Sequence, residues 1–90
     1  MEPEKLRIFL KVAECGSFSK AAAELFISHS TVSRAVTSLE TELGVKLVER
    51  DNSVHGLTPA GERLRERARE LLALTEEIVS EIRGMSETNE

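Results

Sequence analysis

Ser28 and Gly44 bracket the stretch SHSTVSRAVTSLETELG, which restricts the fold more than any other part of the chain. Ser28 suits a helix N-cap, because its hydroxyl can accept a free backbone N–H of the first turn. Val32, Val36, Leu39 and Leu43 then recur at steps of four, three and four, which sets them on one face of an α-helix. Gly44 suits the stop, since it enters left-handed geometry without a Cβ penalty. The opposite face carries His29, Ser30, Ser33, Arg34, Thr37 and Ser38. A solvated helix face more often carries Glu and Lys. Short hydroxyls around one arginine suit a helix that lies close to another polar surface, and the major groove of DNA is such a surface. Two readings stand on this stretch alone: a DNA-reading face, or a serine-rich surface helix.

The flanking segments narrow the choice. Pro3 fits the first turn of a helix over residues 3–15. Leu6, Phe9, Leu10 and Ala13 form its apolar stripe, Ile8 and Val12 widen it, and Gly16 ends it. Cys15 reads as a small buried hydrophobe, with no cluster of reactive partners around it. Ser17 or Ser19 caps a second, shorter helix through about Leu25, with Phe18 plugging the core at its entry. Ala21, Ala22 and Ala23 leave room for another helix to cross closely. The link Phe26–Ile27–Ser28 is tight, so the second and third helices form a helix-turn-helix pattern. The turn carries Phe26 where glycine is often found.

After Gly44, Val45, Leu47 and Val48 make a short apolar segment. The polar run Glu49–Gly56 follows, closed by Leu57 and Thr58. This predicts two very short strands and a loop, a wing beside the helix-turn-helix. Thr58–Pro59 starts a long helix, predicted to reach Ile82 or Arg83. Leu64, Ala68, Leu71, Thr75, Ile78, Ile82 and Met85 alternate at steps of four and three, a coiled-coil seam. Leu72 and Val79 flank it. About 25 residues span roughly 35 Å. So long a stripe either folds back over its own domain or meets its twin in a homodimer, and the second is expected. Three regions result: a winged helix-turn-helix over 1–58, a linker and dimerisation helix over 59–84, and a polar tail over 85–90.

Charge argues in the other direction. The 90 residues carry a net charge of −4, whereas non-specific DNA affinity comes largely from basic groups over phosphates. Residues 1–58 hold seven Lys and Arg against eight Asp and Glu, so much of the acid excess lies beyond them. DNA contact must then rest on a few placed groups, such as Lys5 or Lys20, and on backbone N–H donors at helix starts. No apolar run approaches the roughly 18 residues of a membrane-spanning helix, and charges interrupt the first twelve positions. A single cysteine allows no internal disulfide, which fits a reducing cytoplasm. His29 and His55 are the only histidines and neither has a ligand pattern, so no metal or other cofactor is expected. Gly56 and Gly61 form no phosphate loop, and the acids follow helix surfaces; an enzyme is not expected.

Four pieces carry a family resemblance: residues 6–28, with GSFSKAA; residues 29–50, with SRAVTSLETELG; LTPAG at 57–61; and the long helix after it. Together they resemble the N-terminal DNA-binding domain of LysR-type transcriptional regulators over nearly the whole chain. The resemblance implies a mainly α, winged helix-turn-helix with a long C-terminal linker helix that dimerises antiparallel. It implies a cytoplasmic activator or repressor that binds double-stranded DNA with inverted-repeat half-sites and places residues 29–42 in the major groove. The expected contact residues are Ser28, His29, Ser30, Thr31, Ser33, Arg34, Thr37 and Ser38, with Lys20, Arg50 and His55. The wing run Asp51–Gly56 lacks the basic pair common in the family and leaves Arg50 and His55 for that contact. A non-enzymatic rival is a dimerising partner or antagonist of a full-length regulator, with little DNA binding of its own.

Overall fold

The computed structural model describes residues 1–49 and 56–88, with side chains as far as residue 85. Helices α1 (Pro3–Cys15), α2 (Phe18–Leu25), α3 (His29–Leu43) and α4 (Pro59–Thr88) follow in order. Each start has a local cause. Pro3 opens α1, where its missing N–H would have had no acceptor. Of the two serines before α2, Ser17 is the cap; its hydroxyl accepts the Lys20 N–H at 3.1 Å. Ser28 accepts the Thr31 N–H at 3.1 Å, and Thr58 accepts the Gly61 N–H at 3.0 Å. Gly16 and Gly44 end α1 and α3 in the left-handed region.

Phe26 ends α2 in the same region, at φ 59°. It is the one non-glycine residue with positive φ among those described. A Cβ there costs roughly 1–2 kcal/mol. The bend still forms because the Phe26 and Ile27 N–H groups close on the Ala22 and Ala23 carbonyls. The benzyl group gains little, being 93% exposed.

Helix α1 is the hub. It packs against α2, α3 and α4, whereas α4 packs against no other helix. Leu6, Phe9, Val12, Val32, Val36, Leu39 and Leu47 are the fully buried centre. This shifts the α1 stripe from its expected register. Ile8 and Val12 are buried, while Leu10 and Ala13 are only half-buried. A helix with neighbours on three sides needs a wider apolar arc than a single i, i+3, i+4 stripe provides.

The third helix departs once from its pattern. Leu43 is 42% exposed, and the buried place near the end of α3 goes to Glu40. Four residues after Val36, Glu40 sits on the core side, and its Oε2 accepts the Leu47 N–H at 2.8 Å and the Val48 N–H at 3.4 Å. The expectation that the acids lie on helix surfaces fails here. A buried carboxylate is tolerable because backbone donors replace its water.

Where two short strands were expected, the described residues show one antiparallel bridge, Val48 to Leu57. The Glu49 N–H to the Gly56 carbonyl at 3.1 Å and the Thr58 N–H to the Leu47 carbonyl at 3.0 Å extend the pairing. The Thr58 hydroxyl also donates to the Lys46 carbonyl at 2.6 Å. Gly61 lets α4 start against this segment, since a Cβ there would collide with the Leu47 carbonyl oxygen.

Helix α4 runs past Arg83 to Thr88. Gly84 lowers helix propensity by about 1 kcal/mol relative to Ala but does not by itself stop a helix. Ala68, placed on the seam by the repeat, is instead buried in the core of its own domain, with Leu64 packed beside it. Beyond it Leu71, Leu74, Ile78, Val79, Ile82 and Met85 are each between 42% and 57% exposed. No described helix is long and apolar enough to cross a membrane.

Candidate nucleic-acid interface

Burial of Val32, Ala35, Val36 and Leu39 fixes how α3 is rolled on the domain. The roll turns His29, Ser30, Thr31, Arg34 and Thr37 outward, with Ser33 and Ser38 half-buried at the margins. The hydroxyls at the start of α3 form a small network. The Ser28 Oγ lies 2.8 Å from the Thr31 Oγ1 and 3.1 Å from the Ser30 Oγ, besides capping the helix. Such groups can donate or accept, as base edges require.

His29 is less free than its exposed position suggests. Its ring lies tilted against Phe18, with centroids 5.9 Å apart, which ties the start of α3 to the start of α2. Lys20 is exposed in the first turn of α2. From α1, the Lys5 Nζ donates to the Ser38 Oγ at 2.8 Å. Lys5 and Arg34 line one shallow groove between α1 and α3, which Glu2 and Glu4 also border.

Arg34 makes no ion pair or side-chain hydrogen bond among the described residues. Most other described cations are paired. Lys11 reaches Glu14 at 3.0 Å and Glu24 at 3.3 Å, and the hydrogen bond to Glu14, then that to Glu24, raises its pKa. Arg63, Arg65 and Arg67 each pair with a Glu three residues away on α4. Among the described residues, the cations without an ion pair are Lys20 and Arg34 on the helix-turn-helix and Arg69 and Arg83 on α4.

Arg50 and His55 lie outside the described residues. Two features escaped the sequence reading: the buried Glu40 and the Lys5–Ser38 bond. The first had a signal, because Glu40 is in register with Val36 on the apolar stripe. The second had none, since it joins residues 33 apart in the chain. No group of three or more His, Cys, Asp or Glu side chains gathers to hold a metal among the described residues. Cys15 is half-buried, and desolvation is the main cause lifting its thiol pKa.

A short helix, a tight turn and a second helix with a polar outward face, all backed by α1, define a helix-turn-helix domain. The sequence pattern of bacterial regulatory helix-turn-helix proteins of the lysR family matches residues 3–62. The chain is 39% identical over 87 residues to the HTH-type transcriptional activator AllS of Klebsiella pneumoniae, covering 97% of this chain and 32% of that protein. It superposes on the BenM DNA-binding domain in complex with catB site 1 DNA at a TM-score of 0.91, with 37% identity and 96% of each chain covered. The CbnR DNA-binding domain in its DNA complex also gives a TM-score of 0.91, with 36% identity, covering 96% of this chain and 99% of that one. The chain belongs to the lysR family, and it spans about a third of the length of AllS.

Proposed function

We propose that this chain is the DNA-binding part of a LysR-type transcriptional regulator, binding double-stranded DNA sequence-specifically as a homodimer. The single observation that carries the reading is the outward face of α3. Arg34 stands there among short hydroxyls, without an ion pair or side-chain hydrogen bond among the described residues, while the opposite face is locked into the core. The likeness to domains crystallised with DNA supports it. In this reading residues 29–42 enter the major groove, and Ser30, Ser33, Arg34 and Thr37 face base edges or phosphates. Ser28, Lys20 and the N–H groups starting α2 and α3 hold the backbone. Residues 45–58 form the wing, with Arg50 and His55 as its basic groups. The exposed side of α4, through Leu71, Thr75, Ile78 and Ile82, faces the second protomer. Leu64 and Ala68 serve the domain body.

The test is selection of bound duplexes from a random pool, followed by titration of the winner and of a scrambled duplex at one salt concentration. An inverted-repeat winner is expected. Arg34→Ala then weakens the selected duplex by about 1–3 kcal/mol and relaxes preference at one position if the guanidinium reads a base. Equal weakening on both duplexes assigns it to phosphate. The net charge of −4 favours the rival reading, a dimerising partner with little DNA binding. No enrichment from a folded dimer at low salt would leave that rival standing.

A further inference from the structure

We propose that Lys46 extends the DNA-contacting surface beyond the helix-turn-helix, as a phosphate-binding cation held in place by Glu40 and Thr58. The inference rests on the DNA-binding reading above. Three observations carry it.

The first is position. Lys46 lies two residues past Gly44 and lines a hollow with Thr37 and Thr41. Both threonines are exposed on α3, Thr37 on the reading face and Thr41 one turn further on. Lys46 thus borders that face beyond the end of the helix, with Glu40 at the floor of the same hollow. The 15 residues of α3 span about 22 Å at ~1.5 Å per residue, whereas the major groove is about 12 Å wide. A groove of that width is walled by phosphates on both sides, and a cation beside the last turn of α3 can meet one of them.

The second is availability. The Lys46 side chain is 78% exposed, and its one ion-pair partner among the described residues, the Glu40 Oε1, stands at 3.9 Å. That carboxylate is 6% exposed, and its Oε2 is engaged by the Leu47 and Val48 N–H groups. It cannot follow the lysine outward. The paired cations Arg63, Arg65 and Arg67 have exposed glutamates that move with them.

The third is preorganisation. The Lys46 carbonyl accepts the Thr58 hydroxyl at 2.6 Å, and the next peptide N–H donates to Glu40 at 2.8 Å. The main chain is pinned on both sides of the residue, so little backbone order remains to be lost when the side chain meets a phosphate. Glu40 and Thr58 are positioning residues here, and Lys46 is the contact.

A lysine that only neutralised the end of α3 would affect stability and leave DNA binding unchanged. Fluorescence anisotropy separates the two roles. The full chain, Lys46→Gln and Lys46→Arg are titrated with the duplex selected by the wild type and with a scrambled duplex, across about 50–200 mM salt. Lys46→Gln should weaken both duplexes alike and reduce the slope of log K against log salt by about 0.9 per protomer. Lys46→Arg should restore the slope, and all three proteins should melt at the same temperature. A wild-type slope in Lys46→Gln overturns the proposal, as does a loss confined to the selected duplex. If the wild type binds neither duplex, the DNA-binding reading fails, and the assignment of Lys46 fails with it; that result differs from a normal wild type beside an unchanged variant.

Discussion

Helices α3 and α4 are built on the same rule and meet opposite ends. Both space apolar residues at steps of three and four. In α3 the stripe Val32, Val36 and Leu39 has no exposure at all. In α4 the stripe is covered near Ala68 and then open from Leu71 to Met85. Periodicity says that a face will be covered and leaves open what covers it. Reach makes the difference. Helix α3 lies across the hub helix α1, whereas α4 continues along a molecule 57 Å long and only 26 Å by 19 Å in section. Among the described helices α4 packs only on α1, so its far turns have no helix of the domain against them.

The comparison breaks most visibly at matched positions on the two stripes. Leu39→Ala should lower unfolding free energy by about 2–5 kcal/mol, because it opens a cavity inside one protomer. Leu71→Glu combined with Ile78→Glu should leave that core intact and give monomers in sedimentation. The wild-type melting temperature should rise with protein concentration and that of the double variant should not. A dimer that survives both glutamates would place the seam elsewhere.

A smaller effect probes the polar intruder on the α3 stripe. Glu40→Ala removes the acceptor for two buried N–H groups and should cost about 1–3 kcal/mol in urea unfolding. Glu40→Gln keeps a carbonyl acceptor and should lose clearly less. Equal losses would mean that the negative charge, not the acceptor, holds the segment after α3.

The smallest effect lies in the turn that leads into α3. Phe26→Gly removes the left-handed Cβ penalty of roughly 1–2 kcal/mol, offset by the greater entropy glycine loses on folding, about 0.5–1 kcal/mol. A net gain of up to about 1.5 kcal/mol is expected from chemical denaturation. A loss would mean that the exposed ring makes a contact worth more than the strain.

Much of this molecule was legible in order of residues alone. Caps and stops are local devices, so Pro3, Gly16, Ser28, Gly44 and Thr58–Pro59 announced helix ends within a residue or so. The stripe Val32–Val36–Leu39 and the polar run opposite it marked the candidate reading face, because a helix converts spacing into sides. The sequence could not choose between Ser17 and Ser19 as a cap, and it ended α4 early at Gly84, since one glycine is a cost and not a stop. Tertiary structure alone decided the rest. Three neighbours around α1 made Ile8 and Val12 deeper than Leu10 and Ala13. The return of the chain past Gly44 turned Glu40 from a surface acid into a buried acceptor, and pinned Lys46 between it and Thr58. The contacts of Glu40 and Lys46 span 7 to 12 residues across a chain reversal, and their partners come within reach only once the segment after Gly44 has folded back on α3.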